Sequence, residues 1–163
     1  MNKAVFLDRD GVINMERDTY TYLREDFVLV DGMLDQLKRL QEAGYLLVVI
    51  SNQSGISKGL YRHEEVLELH EVFLKQCADA GVNVAGFYYC PHHPDYGRCL
   101  CRKPDSLMLE KALARFNIDA GRSFMIGDKP RDIEAAEKAG VKGLLVDANA
   151  PIQPLVNQIL QMS

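Results

Sequence analysis

Residues 45–50 are apolar without a break, bounded by Gly44 on one side and Ser51 on the other. A strand that is apolar on both faces needs a sheet covered on both sides, and such sheets are built from parallel strands joined by helices. The rest of the chain supplies matching parts. Residues 4–7 read as a strand. Asp31 or Gly32 caps a helix that carries Met33, Leu34, Leu37 and Leu40 at helical spacing and ends at Gly44. A long helix over 62–80 presents Val66, Leu69, Phe73, Leu74 and Cys77 on its buried side. A strand over 84–89 and an irregular segment over 90–104 follow. Then come a helix over 106–116, a strand over 123–126, a helix over 131–139 and a strand over 141–146.

This alternation predicts a Rossmann-like, three-layer α/β/α architecture with a mainly parallel sheet. The 163 residues fit one domain over 1–163, without internal repeats or linkers. Two stretches are too short for a cap domain. One runs from Asp10 to the helix at Asp31; the other, from Ser51 to Lys103, is used up by one helix, one strand and a loop. Substrate choice is therefore expected in short loops, at 16–22, 54–61 and 91–102.

A formal charge of −4 and a pI near 5.6 argue against a nucleic-acid or anionic-membrane surface, which requires clustered cations. No apolar run is long enough to span a bilayer, and no leader pattern opens the chain. The expectation is a cytoplasmic monomer that partners neither nucleic acid nor membrane.

Asp8-Arg9-Asp10-Gly11 follows the first strand directly. Side chains two apart on an extended segment point the same way, and ligands of parallel sheets bind beyond the carboxyl ends of the strands. One carboxylate can attack phosphorus while the second protonates the leaving alkoxide. Two such acids can equally hold only a cation or solvate a loop.

Three further constellations fall at strand ends or before helices. Ser51-Asn52-Gln53-Ser54-Gly55 can donate a hydroxyl and backbone amides to phosphate oxygens, or serve as an ordinary turn; Ser51 and Asn52 are the substrate-binding candidates. Gly127-Asp128-Lys129 brings a third acid to the same sheet edge. Carboxylates gathered at one point repel, and a hard divalent cation such as Mg²⁺ relieves that repulsion beside a phosphate. Asp8 and Asp128 are its expected side-chain ligands, with the backbone carbonyl of Asp10 as a third. Asp132 is either a helix-start residue favoured by the dipole or a support behind the metal. Lys129 is a substrate contact or a solvated cation. Arg102-Lys103-Pro104 places two cations before a helix. Lys103 can stabilise charge on a transferring phosphoryl group, and the planar fork of Arg102 suits a second anionic group or a hydroxyl, although adjacent cations also occur simply for solubility.

Cys90, His92, Cys99 and Cys101 make a thiolate–imidazole set suited to a closed structural zinc site on the irregular loop. His93 is the alternative imidazole, and free thiols or a disulfide are the other readings of the cluster. Cys77 reads as a small buried apolar residue, His70 as structural, and His63 has no visible partner.

Asp8-x-Asp10-Gly11, Ser51, Lys103 and Gly127-Asp128-x-x-x-Asp132 resemble, in order and spacing, the four motifs of the haloacid dehalogenase superfamily. That resemblance implies a nucleophile at Asp8, an acid/base at Asp10, phosphate binding by Ser51 and Lys103, and Mg²⁺ at Asp8 and Asp128. Asp at position 10 looks like the phosphatase branch. Residues 6–14, 51–56, Cys90-Pro91-His92-His93-Pro94 and Cys101-Arg102-Lys103-Pro104 are similar to the heptose bisphosphate phosphatases, with the histidinol-phosphate phosphatases next. This likeness implies removal of the C7 phosphate from a heptose bisphosphate on a route to lipopolysaccharide, and a structural zinc whose loop presents Arg102. The chain departs from the heptose pattern at Lys58-Gly59, at Asp105-Ser106-Leu107 after Lys103-Pro104, and in a shorter 92–99 loop. A non-catalytic zinc-binding interaction module is the alternative from another class.

Overall fold

The computed structural model describes all 163 residues. Five strands, β1 (Lys3–Leu7), β2 (Tyr45–Asn52), β3 (Gly86–Cys90), β4 (Phe124–Gly127) and β5 (Lys142–Leu145), form one parallel sheet in the order β3-β2-β1-β4-β5. Five helices connect or follow them: α1 (Met33–Glu42), α2 (His63–Asp79), α3 (Leu107–Arg115), α4 (Pro130–Lys138) and α5 (Gln153–Met162).

Successive residues of β1 and β2 serve opposite faces, so the sheet builds two cores. Val5, Leu7, Leu47 and Val49 pack with Leu37 and Leu40 of α1, Leu69 and Phe73 of α2, and Val156 and Ile159 of α5. Ala4, Phe6, Val48 and Ile50 pack on the other side with Met108, Leu109 and Ala112 of α3 and Ala135 and Ala136 of α4. This is the expected three-layer arrangement.

The strand order sets up the site. Leu7 pairs with Val49 on one side and Ile126 on the other, so β1, β2 and β4 end side by side. β2 and β3 lie on one side of β1, and β4 and β5 on the other, so the winding of the sheet switches between β1 and β4, which leaves a crevice there.

Several sequence expectations shift. β2 runs on through Ser51 and Asn52. β3 covers Gly86–Cys90 rather than 84–89, because residues 48–52 of β2 pair with 86–90. Cys90 therefore ends a strand instead of opening a loop. Leu74 is exposed on α2; its neighbour Phe73 takes the core position. α5 was not expected from the sequence, although Val156 and Ile159 are fully buried. No helix is long and apolar enough to cross a membrane.

Candidate active site

Asp8 follows β1 and is held there by its backbone N–H, which donates to Ile126 O. Its Oδ1 accepts from Lys103 Nζ and from the Arg9 backbone N–H, each at 2.9 Å. Lys103 arrives from 95 residues away and is only 1% exposed. Its Nζ also donates to Ile50 O at 2.9 Å and pairs with Asp132 Oδ1 at 2.6 Å. Burial works against the Lys103 charge, but Asp8 and Asp132 outweigh it and raise the ammonium above its usual range. The Lys103 backbone is pinned as well, since its N–H donates to Asn52 Oδ1 at 3.0 Å and its carbonyl accepts from Asn52 Nδ2 at 3.2 Å. Asn52 thus lines the cleft while its amide is used to fasten the Lys103 loop to the end of β2.

Asp128, just past β4, is the most exacting group in the cluster. Both of its carboxylate oxygens are buried and neither accepts a hydrogen bond. Gly11 faces it with φ +89°, and a Cβ there would collide with the Asp128 carboxylate, so glycine is required for both backbone and space. Asp132 is fully buried and takes the helix-start position while also pairing with a cation. As the third residue of α4 it accepts from the Lys129 N–H at 3.1 Å through Oδ2, and through Oδ1 it pairs with Lys103.

Carboxylate oxygens of Asp8, Asp128 and Asp132 lie within 4.8 Å of one another. Burial pushes the Asp8 carboxyl up, and Asp132 and Asp128 add to the rise against the pull of Lys103. Three buried acids against one ammonium leave net negative charge. A hard divalent cation with oxygen ligands fits this environment, with the two Asp128 oxygens, which accept no hydrogen bond, as its natural seat.

Asp10 is arranged differently. The sequence left its carboxyl free, whereas the structure engages both oxygens. Oδ1 accepts from Arg9 Nη2 at 2.8 Å, Arg9 Nε at 3.2 Å and Asn14 Nδ2 at 3.0 Å, and Oδ2 accepts from Gln53 Nε2 at 3.0 Å. Burial opposes its ionisation, but the Arg9 charge and these hydrogen bonds bring its pKa below the usual value. Arg9 is itself 2% exposed and anchored by Thr21 O at 2.8 Å. Arg9, Asn14, Gln53 and Tyr61 were not singled out from the sequence. The available signal was Arg9 inside the acidic tetrapeptide, since a charged side chain between two carboxylates is a ready partner for one of them.

Asp8, Asp10 and Asp128 open onto a cleft of about 470 Å³ that Tyr20, Arg102 and Lys129 also line. Ser51 is buried at the end of β2, next to the cleft residue Asn52, its Oγ accepting from Gln53 Nε2 at 2.8 Å. Lys129 is partly exposed, 3.5 Å from Glu16 and 3.6 Å from Asp128. Arg102 Nη1 donates to His92 O at 3.3 Å, which ties it to the cysteine loop. His63, without an evident partner in the sequence, has Nδ1 2.9 Å from the Tyr89 hydroxyl.

The ligand atoms of Cys90, His92, Cys99 and Cys101 also lie within 4.8 Å of one another. His92 Nδ1 is 3.4 Å from the sulfurs of both Cys90 and Cys101, while His93 Nδ1 turns away to accept from the Asp95 N–H. The imidazole in the cluster is therefore His92. Three thiols and one imidazole so close suit a tetrahedral zinc.

Comparison with known proteins fits this geometry. The HAD-hydrolase-like family model matches residues 100–150, which carry Lys103, Asp128 and Asp132. A curated D-glycero-beta-D-manno-heptose-1,7-bisphosphate 7-phosphatase of Pasteurella multocida is 42% identical over 159 residues, covering 93% of this chain and 85% of that one. The chain belongs to this phosphatase family. Its Escherichia coli K12 member is 40% identical over 158 residues, 93% of this chain and 82% of that protein. The D,D-heptose 1,7-bisphosphate phosphatase from B. bronchiseptica, solved with magnesium and phosphate, superposes with a TM-score of 0.91 at 30% identity over 99% of both chains. That phosphatase thus shares this fold along the whole chain.

Proposed function

We propose that this chain hydrolyses the C7 phosphate ester of D-glycero-β-D-manno-heptose 1,7-bisphosphate. The observation that carries the reading is the buried Asp8–Lys103–Asp132 array beside Asp128, whose oxygens accept no hydrogen bond, in a chain similar along most of its length to curated phosphatases of that ester.

Lys103 and the Arg9 N–H occupy Asp8 Oδ1, which leaves Oδ2 as the attacking atom. Oδ2 forms a bond to the C7 phosphorus as the bond from phosphorus to the sugar oxygen breaks, and Asp10 gives its proton to the departing alkoxide. Water then attacks the aspartyl phosphate, Asp10 takes its proton, and inorganic phosphate leaves with Asp8 restored. The lowered pKa of Asp10 suits the second half. A phosphate dianion arriving beside it raises its proton affinity for the first half. Lys103 Nζ is preorganised where charge moves on the phosphoryl group. Ser51 Oγ holds a second phosphoryl oxygen, and Arg102 and Lys129 on the cleft wall take the remainder of the substrate.

Asp8, Asp128 and the Asp10 carbonyl would hold Mg²⁺, which supplies charge neutralisation for dianion and carboxylate to approach. Cys90, His92, Cys99 and Cys101 would hold a structural zinc, fixing the loop that presents Arg102. Such a site requires thiolates and fits the reducing cytoplasm. Residues 1–163 act as one domain, and a single chain supplies every group named, so a monomer suffices.

A panel of phosphate esters assayed with Mg²⁺ tests the proposal. The heptose bisphosphate should show the highest kcat/KM. A preference for histidinol phosphate or another polyol phosphate would overturn the substrate, and no turnover of any ester would overturn the reaction.

A further inference from the structure

Gln53 is 2% exposed, and its side-chain nitrogen has two acceptors: Asp10 Oδ2 at 3.0 Å and Ser51 Oγ at 2.8 Å. An amide nitrogen carries two hydrogens, so both are committed. One bond reaches the acid and the other the hydroxyl, on two different strand ends.

The direction of the amide is not left to chance. The Tyr61 hydroxyl donates to Gln53 Oε1 at 2.7 Å. Rotating the amide by half a turn would aim Oε1 at the Asp10 carboxylate and leave Tyr61 facing a donor. Tyr61 is itself immobilised. It is 3% exposed, its ring stacks on Tyr22 with centroids 5.3 Å apart, and it fills the space that a Cβ on Gly55 would need.

Ser51 gains a specific property from this arrangement. Its oxygen accepts from Gln53, so its single hydrogen points elsewhere, and the one internal acceptor near it is Asn52 O at a marginal 3.5 Å. The Gln53 bond thus takes a lone pair of the hydroxyl and leaves its hydrogen, held only by that long contact, free for an acceptor that comes within reach.

We infer that Gln53 is a positioning residue of the phosphoryl transfer. It holds the Asp10 carboxylate and the Ser51 hydroxyl in fixed register, and Tyr61 sets the direction of its amide. The inference rests on the proposed hydrolase reaction, and it assigns to the buried amide a role that neither acid can fill.

Gln53→Met and Tyr61→Phe test it, each compared with the unaltered chain on a sugar phosphate and on p-nitrophenyl phosphate in the presence of Mg²⁺. A sugar alkoxide needs a proton to leave, whereas p-nitrophenolate does not, so misplacing Asp10 penalises the first substrate selectively in single turnover. Gln53→Met should lower the single-turnover rate on the sugar phosphate by about 100-fold, near the low end of what proton transfer contributes, and the p-nitrophenolate burst by less than about tenfold. KM should change far less than kcat. Tyr61→Phe keeps the ring and should move both rates in the same sense by several-fold less. Should Gln53→Met fail to fold, as judged by its melting curve, Tyr61→Phe decides alone. Equal losses on the two substrates, or no loss on either, overturn the inference while the function stands. If the unaltered chain hydrolyses neither ester, the functional reading fails and this role fails with it.

Discussion

Lys103 Nζ lies 2.9 Å from Asp8 Oδ1, with the lysine side chain 1% exposed and the aspartate side chain 10%. The contact joins two residues 95 positions apart. Removing the ammonium leaves Asp8, Asp128 and Asp132 repelling one another without water to screen them. Breaking a buried pair from one side costs about 3–5 kcal/mol. Lys103→Met should destabilise by an amount in that range and abolish turnover. Adding Asp132→Asn to it should recover part of the stability and none of the activity, as read from urea midpoints and phosphate release.

Asp128 behaves in the opposite way because its oxygens accept no hydrogen bond. Asp128→Asn removes a buried charge whose one cationic neighbour, Lys129 at 3.6 Å, is part-exposed and also paired with Glu16, so stability without added Mg²⁺ should hold or rise. The unaltered chain should gain about 2.7 kcal/mol at Mg²⁺ a hundredfold above its Kd, and the variant much less. Thermal melts with and without Mg²⁺ measure both effects.

Asp8→Asn separates chemistry from fold. It preserves shape and removes the attacking carboxylate, so turnover should fall by at least about 10³-fold while the folded signal persists. Substantial Mg²⁺-dependent activity remaining in the variant would assign the nucleophile elsewhere.

The cysteine loop yields a metal prediction. Burial, with Cys101 and Cys99 adding to it, raises the Cys90 thiol, so Cys90 ionises readily only with a cation at hand. Purified protein should carry about one zinc per chain, and Cys99→Ser should lower that content. Strong chelation should speed amide exchange across residues 91–102 and leave β1, β2 and β4 protected.

Much of the site was legible because its acids sit where strands end. Apolar runs mark β1, β2 and β4, and a parallel sheet brings their ends together, which gathers Asp8, Ser51 and Asp128 before any contact is seen. The cysteine spacing likewise picked out the four side chains that cluster, with His93 as an alternative to His92 that the loop's path turns away. The groups around Asp10 were hidden for a physical reason. Gln53, Tyr61 and Arg9 act through hydrogen bonds whose geometry depends on packing between separate loops, and residue type alone does not specify a partner. α5 was legible and was overlooked: Ile152, Leu155, Val156, Ile159 and Leu160 fall at helical spacing and pack on the core. The edge of β3 was misplaced because its pairing with β2, rather than its own composition, decides where it begins.

The last prediction concerns His70, which α2 buries against Phe87 with ring centroids 4.2 Å apart and no partner for Nε2. Burial pushes its pKa down to about 3, and the Arg9 charge pushes the same way against Asp10. The unfolded chain holds a histidine near its ordinary 6.5. Between these two values the unfolded state binds the proton and the folded state does not, so stability falls as pH falls through that window. The contribution is complete above pH 6.5 and is lost at up to about 1.4 kcal/mol per pH unit below it. Between pH 7 and pH 5 the loss from this group alone should reach about 2 kcal/mol. His70→Phe keeps a stacked ring and cannot take the proton. Urea midpoints at pH 7, 6 and 5 should therefore show the variant gaining on the unaltered chain as the pH drops, with little difference in slope above pH 7. A constant offset between the two at all three pH values would mean that His70 takes up its proton as readily in the folded protein as in the unfolded chain, in conflict with a buried and unpartnered Nε2.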